Sequence, residues 1–120
     1  MIFYFEIEKL TKENDNFRNV IKTGKYSQVV LMSLKPGEDI GNEVHETVDQ
    51  ILVFVEGEGK AKVGDEEFEI KPGVMAFVDA GTWHNFTNIG TGDMKLYTIY
   101  SPANHPADRV QKDKPAVDDD

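Results

Sequence analysis

Apolar residues in this chain occur in short runs that alternate with polar residues, are rich in Val, Ile, Phe and Tyr, and are bounded by Gly, Pro, Asn or Asp. That pattern is the signature of half-buried strands, and amphipathic runs of helical length are absent. It predicts strands at residues 2–8, 17–21, 28–34, a short piece around Val44, and then 50–55, 60–63, 67–70, 74–78, 84–88 and 95–100. Short strands at such regular spacing predict an all-β antiparallel sandwich or barrel. Gly64-Asp65 fits a two-residue hairpin turn, and Pro36-Gly37 and Pro72-Gly73 mark two further turns. A length of 120 residues allows one domain with a single core. Residues 1–100, including the N-terminal strand, read as that domain. After Ser101 the alternation stops, and residues 101–120, polar and Pro-rich, read as a tail that lies on the surface or is disordered.

Composition narrows the partners. Asp and Glu number 22 against 13 Lys and Arg, a formal net charge of -9, so the mean field repels phosphate backbones and anionic lipid. Nucleic acid and membrane surfaces are therefore not expected partners. The absence of cysteine removes disulfides, thiolate metal sites and cysteine nucleophiles, which leaves nitrogen and oxygen to hold any metal. The opening MIFYFEIEKL has no basic leader and is interrupted by Glu6, so it reads as a strand rather than a signal peptide or spanning helix, and the protein as cytoplasmic. As an apolar strand at the chain end it would leave an exposed edge, which pairing with a second copy would cover; a homodimer is expected on that ground.

The stretch GNEVHETVDQ concentrates polar groups that a solvated loop does not account for, because it spends one of only three histidines. Glu43 and His45 stand at i and i+2 on an extended chain, so both point to one side, about 6.6 Å apart. Gln50 opens the next strand after a connection short enough to fold back beside them. His84 comes much later, in AGTWHNF, and joins the other three only if the sheet closes on itself. A single histidine at a strand edge is ordinarily structural, and a single Glu or Gln ordinarily sits on the surface. The combination carries the signal. Alternation also turns Leu52, Phe54, Phe86 and Asn88 to the same side as Gln50 and His84, as a pocket wall or plain core. Trp83 is expected at the mouth or at an interface, and His105 in solvent. Arg18 and Arg109 are the only guanidinium groups, which argues against a diphosphate clamp.

These two blocks resemble the motifs of the cupin superfamily. Its first motif runs from glycine through His-x-His and Glu to a second glycine, and Gly37, Glu43, His45, Gln50 and Gly57 occupy those places; its second runs from glycine through Pro-x-Gly and His to Asn, matched by Gly73, Asp79, Gly81, His84 and Asn88. The resemblance implies a small single-domain cupin: a jelly-roll barrel, or double-stranded β-helix, with one divalent metal ion (Mn, Fe, Ni, Co or Zn) bound by Glu43, His45, Gln50 and His84. Cupins commonly dimerise, which again implies a homodimer. Three places depart from the family. Glu43 replaces the first histidine, Gln50 the glutamate and Asp79 the proline. The first two exchange a carboxylate across the site without altering its sum, since three histidines with a glutamate and this set both carry one negative charge. Two histidines and a carboxylate are also the ligand composition of facial-triad iron sites. The resemblance implies Lewis-acid or dioxygenase-type chemistry on a small oxygen-rich substrate, sugar-like or an enolisable carbonyl compound, with Glu43 as the catalytic acid–base group if it is not a ligand. A metal-free isomerase or epimerase and a non-catalytic sugar-binding module remain as alternatives.

Overall fold

The computed structural model describes residues 4–116. Eight of the expected strands form within two residues of their expected ends: β1 (Arg18–Thr23), β2 (Gln28–Leu34), β3 (Asp49–Glu56), β4 (Gly59–Val63), β5 (Glu66–Ile70), β6 (Met75–Val78), β7 (His84–Asn88) and β8 (Met94–Ser101). A short β9 (Val110–Gln111) follows, unforeseen in the sequence. The strands make two antiparallel sheets, β6-β3-β8-β2-β1-β9 and β5-β4-β7, closed over one core in a jelly-roll arrangement.

Local chemistry explains the turns between them. At residues 35–38 and 71–74 a proline in the second position fixes φ, and Gly37 and Gly73 in the third take φ of 85° and 94°. The turns close by Glu38 N–H donating to the Lys35 carbonyl (2.9 Å) and Val74 N–H to that of Lys71 (3.1 Å). Between the sheets, alternate residues point inward as the pattern requires. Gln50, Leu52 and Phe54 of β3 and His84, Phe86 and Asn88 of β7 are all buried. The Phe54 and Phe86 rings meet at 5.6 Å across the core.

The expected strand at 2–8 is corrected by the structure. Residues 1–3 lie outside the described residues, 4–6 have no regular structure, and Ile7–Glu13 forms a helix, α1. Ile7, Leu10 and Thr11 share one helical face, and α1 lies against β8, β3 and β2. A helix of this length is marginal alone, and its end is held by a residue distant in sequence. The buried Lys95 ammonium, on β8, donates to the Lys12 carbonyl (2.7 Å) and to the Asp15 carboxylate (3.0 Å).

The segment after β8 turns back over the barrel. Asn104 and His105 donate their backbone N–H groups to Gln28 Oε1 (3.1 and 3.0 Å), and Gln28 Nε2 donates to the His105 carbonyl (2.7 Å). β9 pairs with β1, and Lys114 bonds the Asp39 carboxylate. His105, expected in solvent, is 7% exposed, with its ring edge-on to Tyr100 at 5.0 Å. The buried amide of Gln28 is the reason, for its three bonds satisfy the backbone that carries His105 out of water.

Candidate metal centre

After the turn at 35–38 the chain runs antiparallel to β7. Gly37 N–H donates to the Asn88 carbonyl (3.0 Å), Asn88 N–H to Glu38 (2.9 Å) and Ile40 N–H to Phe86 (3.0 Å); Glu43 and His84 then exchange both bonds at 2.9 Å. The expected short strand around Val44 is realised as two isolated bridges, Asp39 with Thr87 and Glu43 with His84. Between them one side has an extra residue, so the segment is bulged. The bulge decides where Glu43 points. Ile40 is in the core, and strict alternation from it would turn residue 43 outward; the added residue reverses the phase and sets Glu43 on the inner side with His84. Asn85 Oδ1 accepts the N–H of Gly41 (3.0 Å) inside the irregular stretch.

Glu43, His45 and His84 come together as the sequence predicts, with one donor atom of each inside a 4.8 Å span. Glu43 Oε2 lies 3.2 Å from His45 Nε2, and the two imidazole centroids are 5.4 Å apart. His84 Nδ1 is 2.9 Å from the Thr82 carbonyl, a contact that only an N–H can make, so Nε2 carries the lone pair. That nitrogen is buried and has no hydrogen-bond partner. Burial pushes the His84 pKa down, the Thr82 carbonyl partly opposes this, and the neighbouring His45 pushes it down again. The net effect favours the neutral ring, the form in which histidine binds a metal.

Gln50 stands directly across from Tyr100 in the β3–β8 pairing. Its Nε2 donates to Thr98 Oγ1 (3.1 Å) and to Tyr100 Oη (3.2 Å), which uses both amide hydrogens, while Oε1 is buried without a partner. Tyr100 also borders the histidine pair, its ring edge-on to His45 at 6.1 Å. Thr82, Thr98 and Tyr100 are the site residues that sequence reasoning missed. Only the β3–β8 register, which carries no local signature, could have singled out the last two.

The other residues singled out in the sequence fall elsewhere. Asn88 is a structural tie, its amide donating to the carbonyls of Leu34 (2.8 Å) and Gly92 (2.9 Å). Arg18 is buried, bonds Gln111 and lies 5.1 Å from the Phe17 ring centroid. Trp83 is 55% exposed next to His84. The Glu43, His45 and His84 cluster, two imidazoles and a carboxylate, has the N/O chemistry that a divalent first-row ion accepts. The 3.2 Å between Glu43 and His45 is close to the spacing of adjacent ligands on one ion at about 2.1 Å bond lengths.

The fold is a small jelly roll with a His/Glu cluster that could hold a metal ion, and residues 30–100 match the cupin domain family. The chain belongs to that family. It is 43% identical over 118 residues to YrkC of Bacillus subtilis strain 168, covering 93% of this chain and 63% of that protein. It thus spans less than two thirds of that relative's length. Over 118 residues it is 38% identical to L612 of Acanthamoeba polyphaga mimivirus, covering 95% of this chain and 74% of that one. The crystal structure of BH2720 from Bacillus halodurans superposes with a TM-score of 0.91 at 40% identity, over 93% of this chain and 89% of that chain.

Proposed function

We propose that this cupin holds one divalent ion, manganese, iron, nickel, cobalt or zinc, on Glu43, His45, His84 and Gln50, and acts on a small oxygen-rich substrate, sugar-like or an enolisable carbonyl compound. The reading is carried by two buried acceptors with no hydrogen-bond partner: His84 Nε2, in the cluster with Glu43 and His45, and Gln50 Oε1, whose amide bonds the Tyr100 that borders His45. A buried acceptor left unpaired costs about 1–3 kcal/mol, and a cation would satisfy both. Bound there, the ion would supply Lewis acidity toward a carbonyl or hydroxyl oxygen, or redox chemistry if it is iron. His84 offers its lone pair because Thr82 holds the other ring nitrogen in the protonated form. Glu43 brings the one negative charge of the set; its carboxylate would take or return a proton only where it is not itself a ligand. Leu52, Phe54 and Phe86, all buried, keep water from the inner side.

Elemental analysis of protein purified without chelator tests this directly. About one ion per chain is expected, abolished by His45→Ala or His84→Ala. Negligible metal, with no rise in Tm on adding any of the five ions, would overturn it. The 3.2 Å contact between Glu43 and His45 favours one second reading, a metal-free isomerase using that pair as acid and base. Turnover that survives complete metal removal would select it.

The proposal includes a cytoplasmic location and a homodimer. Among the described residues no helix is long and apolar enough to cross a membrane. Among the described residues the N-terminal strand first expected to pair two copies is not formed, but β6 supplies another seam. It is an edge strand whose outward Met75 and Phe77 are 59% and 50% exposed, against buried Ala76 and Val78.

A further inference from the structure

Gln50 is 1% exposed, yet its two amide ends are treated differently. Both hydrogens on Nε2 are taken, by Thr98 Oγ1 at 3.1 Å and Tyr100 Oη at 3.2 Å, and the carbonyl oxygen has none of the donors that would complete it. A buried amide normally rotates to satisfy its oxygen first, since either end is costly to leave bare. In the orientation found, the Thr98 and Tyr100 hydroxyl oxygens both accept from Nε2, which leaves Oε1 as the end turned away from them. Thr98 and Tyr100 stand at i and i+2 on β8 and so face the same side, and Gln50 is paired with Tyr100 across the β3–β8 ladder. Thr98 is fully buried and Tyr100 nearly so. The Tyr100 ring is further braced on two sides, edge-on to His45 at 6.1 Å and to His105 at 5.0 Å, and backbone bonds to Gln28 hold the segment carrying His105.

We infer that Thr98 and Tyr100 are positioning residues: their hydroxyls lock the Gln50 amide so that its carbonyl oxygen is presented as the fourth donor beside Glu43, His45 and His84. The inference rests on the metal-site reading above and adds what sets the fourth donor. It also accounts for glutamine at this place in physical terms. Two hydroxyl oxygens within bonding distance of the same NH2 group match its two hydrogens, and the neutral oxygen left over adds a ligand without adding charge.

Cobalt(II) alone is the probe, because its visible bands report coordination number and affinity in one titration. The parent is expected to bind one equivalent. Thr98→Val with Tyr100→Phe keeps the side-chain shapes but frees the amide to rotate, and should lower cobalt(II) affinity by about tenfold or more, the usual effect of removing groups that orient a ligand. The bands should also intensify as a donor is lost. Thr98→Ser, which keeps the hydroxyl, should restore both in the Tyr100-containing background. Urea midpoints of the metal-free proteins separate a merely structural role, which would lower them without moving the bands. If the double variant fails to fold, Tyr100→Phe and Thr98→Val are read singly, each expected to shift the bands in the same direction. Parent-like affinity and bands in the folded variants overturn the positioning role while leaving the metal site standing; a parent that binds no cobalt(II) overturns both.

Discussion

Glu43 carries a carboxylate where the related motif has a histidine, and Gln50 a neutral amide where it has the carboxylate; Glu43 lies in the His45–His84 cluster and Gln50 is buried with its oxygen unpartnered. If the ligand set works by keeping a single negative charge, Glu43→Gln removes that charge and should weaken metal binding by more than the roughly tenfold loss typical of an orienting group. Gln50→Glu adds a second carboxylate. It should hold the ion at least as tightly but reduce turnover, because the extra charge lowers Lewis acidity and repels an anionic substrate. The double exchange restores the sum and should recover much of the affinity. Calorimetric titration of the metal-free forms checks all three, and parent-like binding by Glu43→Gln would remove Glu43 from the ligand set. That Glu43 and His45 share a side was legible from their i and i+2 spacing. The bulge that turns the pair inward was not, because it exists only relative to β7.

Among the elements, α1 is the one misread as strand, and the reason is specific. Its sequence IEKLTKE is too short to declare a helix, and the group that secures its end, the Lys95 ammonium, is contributed by β8. Lys95→Met keeps the packed stem and removes the charged donor, so unfolding in urea should show a loss of about 1–3 kcal/mol, with amide exchange rising first in α1. The C-terminal segment is tied down in a comparable way. Lys114 hydrogen-bonds Asp39, and this bond is the main cause of an Asp39 pKa below its ordinary 3.8, with partial burial opposing and Asn85 assisting. The folded form therefore favours ionised Asp39: this stabilisation is present above the unfolded-state pKa and is lost as pH falls through the lower folded value. Acid titration of Asp39→Asn should show a shallower loss of stability below about pH 4 than the parent, with the segment around Lys114 more open to proteolysis at neutral pH.

At the scale of the whole molecule, the radius of gyration of 13.2 Å is near the ~13.6 Å expected for one 120-residue domain, so the edges of its sheets are what remain for assembly. Light scattering at micromolar concentration should give the mass of two chains, and Phe77→Asp, which puts a charge on the β6 seam, should give the mass of one with the far-ultraviolet circular dichroism unchanged; a monomeric parent ends the idea. Strands, turns and inward-facing residues were determined by the sequence alone, because alternation and the geometry of Pro-Gly act over a few neighbouring residues. Local spacing put Glu43 and His45 on one side, and the resemblance to cupin motifs added Gln50 and His84 as candidate site residues. Tertiary structure alone decided that Gln50 meets Thr98 and Tyr100, that Lys95 ends α1, that Gln28 draws His105 out of solvent, and that an added residue opposite β7 turns Glu43 inward. Each of these depends on register or contact between segments far apart in the chain, where hydrogen-bonding groups are chosen by what closure of the barrel brings within 3 Å, and no short-range pattern encodes that.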